Sequence, residues 1–294
     1  MLRLITFMEG MPNETNEAKV WLITGCSKGL GRALAAHALE RGDRVAVTAR
    51  NRAAVIDLAA GYGDHALALE LDVTDPVSVT AATQECERTF GRIDVLVNNA
   101  GYGYLAAIEE GEDTAVRALY DTNVHGVVTV LKAVLPGMRA RRSGRIVNIS
   151  SFGGLAAFPA TGYYHATKFA LEGLSESLAA ELAPLGIAVT IAEPGGLRTQ
   201  WAGESMQQSP IRLDDYEQTA GKRRVATLAA SGRQPGDPAR AAAAIAATVD
   251  AEMPPRRLLL GSDALAGTRA RLERMRGEID ANEALTASVD LGER

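Results

Sequence analysis

Lys19-Val-Trp-Leu-Ile-Thr-Gly-Cys-Ser-Lys-Gly-Leu-Gly31 decides the fold. An apolar run of strand length, Lys19 to Thr24, enters a turn carrying Gly25, Gly29 and Gly31. Leu30 to Arg41 then reads as a helix closed by Gly42. Glycine admits positive φ and lets a ligand approach the backbone. A helix opening on such a turn offers unpaired N–H groups and the positive end of its dipole. Strand, glycine turn and helix in this order make a pyrophosphate cradle, with Ser27, Lys28 and Leu30 completing the candidate set.

The same rhythm continues outward. Strand-like runs follow at Arg44–Ala49, Ala66–Val73, Ile93–Val97, Arg145–Ser150, Ile187–Ala192 and Arg256–Leu260. Helical patterns separate them: a short piece at Ala53–Ala60, one opened by Asp75 as N-cap and Pro76, a long one over Glu112–Arg141, then Gly162–Ala183 and Asp237–Asp250. Strands alternating with helices build right-handed βαβ units. The expected class is therefore α/β: a single-domain Rossmann fold with a doubly wound parallel sheet of about seven strands. Residues 19–294 form that domain. Residues 1–18 are expected to be a disordered N-terminal extension. Residues 195–236 show no strand pattern and are expected to be a substrate loop, mobile without ligand. A charged C-terminal helix spans 264–281, and the last dozen residues look frayed.

Composition narrows the function. Of 294 residues, 47% are hydrophobic and 23% charged, an ordinary globular mix. The net charge of −5 offers no basic excess for a nucleic-acid backbone. The group Arg139, Arg141, Arg142 and Arg145 reads as a solvated loop. No apolar run reaches the roughly 20 residues of a membrane span. Cys26 and Cys86 make no disulfide framework, so a reducing cytoplasm is the expected setting. His37, His125 and His165 lack metal-ligand spacing, and no metal is expected.

Strand two ends Thr48-Ala49-Arg50-Asn51-Arg52, without the acid that would accept from a ribose 2′-hydroxyl. Arg50 offers a fork for a 2′-phosphate and Lys28 a second charge, which points to NADP(H) over NAD(H). Asp72 and Val73, ending strand three, are expected beside the adenine. Tyr164 and Lys168 stand at i and i+4 on one helix face. An adjacent ammonium would pull the phenol down from about 10 toward working pH. Tyr164 can then protonate a carbonyl oxygen, with Ser151 donating to the developing oxyanion. Tyr102, Tyr104, Phe152, Leu155, Phe158, Trp201, Met206 and Tyr216 sit in the loops around these groups. They suggest a largely apolar pocket for a bulky ketone, aldehyde or secondary alcohol.

Five motifs occur in order: the glycine loop, Asn98-Asn99-Ala100-Gly101, Asn123, Ser150-Ser151 with Tyr164 and Lys168, and Pro194-Gly195-Gly196-Leu197-Arg198-Thr199. Over residues 19 to about 200 the sequence resembles the short-chain dehydrogenase/reductase family, in its TGxxxGxG and YxxxK subgroup. Lys168-Phe-Ala-Leu-Glu-Gly-Leu-Ser-Glu-Ser177 further resembles its hydroxysteroid and retinol dehydrogenase branch. The resemblance implies that Ser151, thirteen residues before Tyr164, is the catalytic serine rather than Ser150. It implies that Asn123 holds a water linking Lys168 to solvent. It also implies cofactor contacts at Asn99, Ala100, Gly101, Tyr164, Lys168, Pro194, Gly195 and Thr199. Assembly as a homodimer or homotetramer through Glu112–Arg141 and Gly162–Ala183 is implied too. Two other classes share such a fold. A catalytically silent NADP-binding regulator would lack the Tyr–Lys pair, and an epimerase or dehydratase of the extended subgroup would space its glycines as TGxxGxxG.

Overall fold

The computed structural model describes residues 18–203 and 205–291, so nearly all of the expected N-terminal extension lies outside it. The chain opens with β1 (Val20–Ile23), α1 (Gly29–Glu40), β2 (Arg44–Ala49), the one-turn α2 (Ile56–Ala59) and β3 (Ala66–Glu70). Then come α3 (Pro76–Phe90), β4 (Val95–Asn98), a short β5 (Gly103–Leu105), α4 (Asp113–Tyr120), α5 (Gly126–Arg141) and β6 (Gly144–Ile149). α6 (Gly162–Leu182), β7 (Ile187–Pro194), β8 (Met206–Gln208), α7 (Lys222–Ala229) and α8 (Pro238–Asp250) follow. The chain closes with β9 (Arg257–Leu260), α9 (Ser262–Asp280) and α10 (Glu283–Ala287).

Seven strands form one parallel sheet in the order β3-β2-β1-β4-β6-β7-β9, as the sequence rhythm predicts. Side chains alternate faces along each strand. Trp21 and Ile23 of β1 join the core with α1 and α8, while Val20 and Leu22 join the core with α3, α5 and α6. Burial on both faces is why the strands read as continuous apolar runs. Two helices start on the Asp-Pro signal: Asp75 accepts from Val77 N at 2.9 Å and Asp237 from Ala239 N at 2.8 Å. The strand order reverses between β1 and β4, which opens a crevice at their carboxyl ends.

Several expectations need correcting. The helix expected over Glu112–Arg141 is broken by a π-helical turn at Asp121–His125, whose extra residue leaves no trace in apolar periodicity. β3 stops at Glu70, so Asp72 and Val73 lie in the loop beyond it. The tail contains α10, with residues 292–294 outside the described set. Arg141 donates to Ile93 O at 2.6 Å, Arg142 donates to Pro184 O, and Arg145 lies on β6, so these side chains anchor elements rather than a solvated loop.

The largest correction concerns residues 195–236, which carry β8 and α7. β8 is too short to show a period, and α7 opens on Lys-Arg-Arg. β8 pairs in parallel with β5, Gly103 opposite Met206. A buried acid ties the segment down. Glu110 accepts from Leu213 N at 3.0 Å and from Arg224 Nη2 at 2.5 Å, while Ser209 Oγ donates to the Glu110 carbonyl at 2.5 Å. The side chains of Glu110 and Arg224 are 2% and 8% exposed. Removing one member of a buried pair costs about 3–5 kcal/mol, because the other charge stays desolvated. Arg224→Met is expected to lower stability by that order in chemical denaturation. Trypsin should then cut after Lys222 and Arg223 faster than in the wild type. Unchanged stability and unchanged cleavage would mean that the pair does not hold the segment.

Candidate active site

The loop after β1 takes left-handed backbone at Gly25 (φ 73°) and Gly29 (φ 62°), the conformation that favours glycine. Gly31 is needed for packing: a Cβ there would stand 2.3 Å from Asn99 Nδ2 and 2.5 Å from the Gly25 carbonyl. Lys28 precedes α1 without a side-chain capping bond, so the first-turn N–H groups of α1 have no side-chain partner at that cap. Ser27, Lys28, Gly29 and Leu30 border a cleft of about 1000 Å³ at the switch point.

The loop is braced from β4. Thr24 Oγ1 accepts from Asn99 N at 2.9 Å and Ala100 N at 3.0 Å. The Asn99 amide donates to the carbonyls of Thr24 and Gly25 at 2.8 and 3.0 Å. Asn99 thus shapes the cradle as well as bordering it. Arg50, Asp72 and Val73 border the same cleft, as do Ala100, Gly101, Pro194, Gly195 and Thr199. The Asp72 carboxylate is engaged by Thr74 N and Oγ1, at 2.9 and 2.7 Å. The left-handed glycine turn, the start of α1 without a side-chain capping bond and the cleft fit a dinucleotide. Ser27 to Leu30 would hold its pyrophosphate, and Arg50 its adenosine end.

Tyr164, Ser151 and Lys168 converge further along the cleft. Ser151 caps a short 3₁₀ turn at Phe152–Gly154, accepting from Gly153 N at 2.9 Å. Its hydroxyl faces the Tyr164 phenol closely enough to oppose the upward push that burial gives it. The Tyr164 ring stands 5.1 Å from Trp201. Lys168 Nζ donates to Ile149 O at 2.8 Å and lies 5.8 Å from the Tyr164 ring centroid. Burial pushes the Tyr164 phenol up to about 12, with the Ser151 hydroxyl opposing it, and brings Lys168 down to about 8, against the pull of Glu172. The expected lowering of the phenol is thus not present in this state. Desolvation dominates, and the ammonium serves the Ile149 carbonyl.

Asn123 does not border the cleft. It sits in the π turn, 1% exposed, accepting from Tyr102 N at 3.1 Å and donating to Tyr102 O and Thr167 Oγ1 at 3.0 and 3.1 Å. A Cβ on Gly101 would touch both Asn123 Oδ1 and Lys168 Nζ, at 3.1 and 3.8 Å, so the two approach beneath that glycine.

Ser150 has separate bonds. Its hydroxyl donates to Glu172, whose other oxygen accepts from Arg257 at 2.6 Å. Arg257 also clamps Glu193 and Glu176. A Cβ on Gly154 would press within 2.6 Å of Ser150 Oγ and 2.8 Å of Glu172 Oε1, so glycine makes room for this pair. Burial and the charge of Glu172 push Glu193 up to about 7, against the hydrogen bond from Arg257. Of the expected pocket residues, Tyr102, Phe152, Phe158 and Trp201 border the cleft. Tyr104 is instead buried against Tyr163, and Tyr216 donates to Glu109 at 2.7 Å. Asp263, which accepts from Gly196 N at 2.7 Å, comes from the C-terminal third, where no motif marks it. Among the described residues no group of His, Cys, Asp and Glu has the makings of a metal site. No helix there is long and apolar enough to cross a membrane.

Comparison with known proteins agrees with this geometry. Residues 19–210 match the model of the short chain dehydrogenase family. The chain is 41% identical to oxidoreductase BOA17 of Botryotinia fuckeliana over 248 residues, 84% of this chain and 90% of that protein. The crystal structure of a short-chain dehydrogenase from Streptomyces avermitilis superposes with a TM-score of 0.88 at 44% identity, covering 94% of this chain and all of that one. An alcohol dehydrogenase of Thermococcus sibiricus, complexed with 5-hydroxy-NADP, is similar at 25% identity and a TM-score of 0.68, over 83% and 96% of the two chains.

The buried acid beneath the site gives a pH test. Glu193 titrates near 7 in the folded protein against an ordinary 4.5, so the native state keeps a proton that the unfolded chain has released. Stability from this group is complete below its ordinary value and is lost as pH rises through about 7. The Tm of Glu193→Gln is expected to fall less than that of the wild type between about pH 5 and pH 8. Equal falls would contradict the raised value.

Proposed function

Since the chain belongs to the short-chain dehydrogenase family, we propose that it is an NADP(H)-dependent oxidoreductase acting on the carbonyl or secondary alcohol of a largely apolar substrate. The observation that carries this reading is the convergence of Ser151, Tyr164 and Lys168 in the cleft that runs on to the glycine loop. Bound nicotinamide supplies or accepts the hydride. In the reductive direction Tyr164 gives its proton to the carbonyl oxygen, and Ser151 donates to the same oxygen as charge develops there. Lys168 keeps the ammonium beside the ring. In the cofactor-bound state its field opposes the burial that holds the phenol protonated. Asn123 fixes the Tyr102 backbone next to Lys168, where a water can pass protons outward. Phe152, Phe158 and Trp201 give the pocket its apolar character.

Tyr164→Phe keeps the ring and removes the donor. Turnover of a ketone panel is expected to fall about 10²–10⁴-fold with dinucleotide binding retained. Ser151→Ala should lose most activity and Ser150→Ala far less, because the Ser150 hydroxyl faces Glu172. Near wild-type activity in Tyr164→Phe, or the reverse order of the two serines, would defeat the assignment.

The preference for NADP(H) rests on sign and position. β2 ends without an acid, and Arg50 and Lys28 both border the cleft near that end. Hydrogen bonds to charged groups are worth roughly 1.5–3 kcal/mol, and about 1.4 kcal/mol is tenfold. The wild type is expected to favour NADPH roughly ten- to hundredfold in kcat/KM. Arg50→Asp should move that ratio toward NADH. A wild type that prefers NADH, or a ratio that Arg50→Asp leaves in place, would overturn it.

A further inference from the structure

Arg223, Ala226, Thr227 and Ala230 border the cleft together. They are the i, i+3, i+4, i+7 face of α7 and its cap. Three of the four are small, so this face is a shallow trough with one cation at its head. The Arg223 guanidinium lies over the Phe158 ring, 4.8 Å from its centroid. Phe158 meets His165 edge-on at 5.5 Å, and His165 lies 5.9 Å from Tyr164. Three short steps thus separate the cation from the proposed proton donor. A guanidinium stacked on an aromatic face has its fork held in one plane, ready for a flat or tetrahedral oxyanion.

The neighbours of Arg223 sharpen its role. Arg224 turns the other way, into its buried pair with Glu110. Burial and the charge of Arg223 bring His165 down to about 4, so the ring beside Phe158 is neutral near pH 7 and Arg223 is the cation at this end. Among the described residues no carboxylate makes an ion pair with Arg223, although the whole chain has more acids than bases. The other cations on the cleft already have roles in the reading above: Lys28 and Arg50 toward the dinucleotide, Lys168 beneath Tyr164.

We propose that Arg223 receives an anionic group of the substrate. The substrate class is then an amphipathic ketone or secondary alcohol, with its reacting carbon at Tyr164 and a slim apolar body along Ala226, Thr227 and Ala230. It ends in an oxyanion, carboxylate or phosphate, at Arg223. This inference rests on the oxidoreductase reading for the reacting end alone.

The test uses the full chain with bound dinucleotide. The probes are a medium-chain carboxylic acid bearing a terminal methyl ketone, its methyl ester, and the phosphate monoester of the matching hydroxyketone. Both kcat/KM and equilibrium binding, read from the fluorescence of Trp201 beside Tyr164, are measured. Because Arg223 is exposed, water screens part of its attraction. The acid is therefore expected to outperform its ester by about tenfold. Arg223→Met should abolish that advantage by losing on the acid alone, and Arg223→Lys should restore part of it. The phosphate arm shows which oxyanion the fork prefers. An acid and ester used equally by the wild type, or an Arg223→Met variant that loses on both alike, would overturn the inference. Turnover of the ester without preference for the acid leaves the oxidoreductase reading standing and removes this one. Arg223-dependent binding of the acid without any turnover does the reverse.

Discussion

Two backbone segments leave the sheet side by side, at the ends of β1 and β4, and one set of hydrogen bonds decides whether they form a cradle. Thr24 takes the N–H groups of Asn99 and Ala100 on a single hydroxyl, and Asn99 returns its amide to the carbonyls of Thr24 and Gly25. The four bonds hold the glycine loop open at the one place where the strand order reverses. Such carbonyls, left unpaired under a bound ligand, would each carry a desolvation cost of roughly 1–3 kcal/mol. The Asn-Asn pair divides the labour. Asn99 braces the loop, and Asn98 reaches the other way to Asn148, which passes the link on to Ser175 of α6. The phosphate cradle and the Tyr164 helix are therefore joined through a polar ladder inside a largely apolar sheet.

The sheet itself was legible in the sequence because double-sided burial leaves little choice of residue. Val20 to Ile23, Val45 to Val47 and Val95 to Val97 have no polar side to confuse the pattern. The placing of Tyr164 and Lys168 together on one helix was legible for a different reason. Their spacing of four along one helix is a face, and a face is a geometric statement that a sequence can make. Asn123 was named, but its setting was not. A π turn adds one residue to a helix without disturbing composition, so the break at Asp121–His125 left no mark, although it turns this amide toward Tyr102 and Thr167.

The elements within 195–236 were missed because short elements held by tertiary bonds have no period. Their order comes from Glu110, nearly a hundred residues earlier in the chain, and no local window contains that information. Arg223, in the same segment, was invisible as a site residue for a related reason. In Lys222-Arg223-Arg224 three cations stand in a row, and only the fold turns one outward, one to a buried acid and one to the cleft. The direction of the Tyr164 shift was also out of reach, since spacing reports that an ammonium is near and says nothing of the water excluded around it.

The clamp at Arg257 has a consequence in time. Glu172 and Glu193 sit against the catalytic layer, on the helix that carries Tyr164 and Lys168 and on the strand that leads to Pro194. Their countercharge is on β9, among the last strands to be made. During synthesis the glycine loop, Asn99, Ser151, Tyr164 and Lys168 all emerge before it. Until the final strand pairs, Glu172 has the Ser150 hydroxyl alone, and neither acid has the Arg257 guanidinium, so the layer that carries Tyr164 and Lys168 receives its last polar partner from the last strand of the sheet.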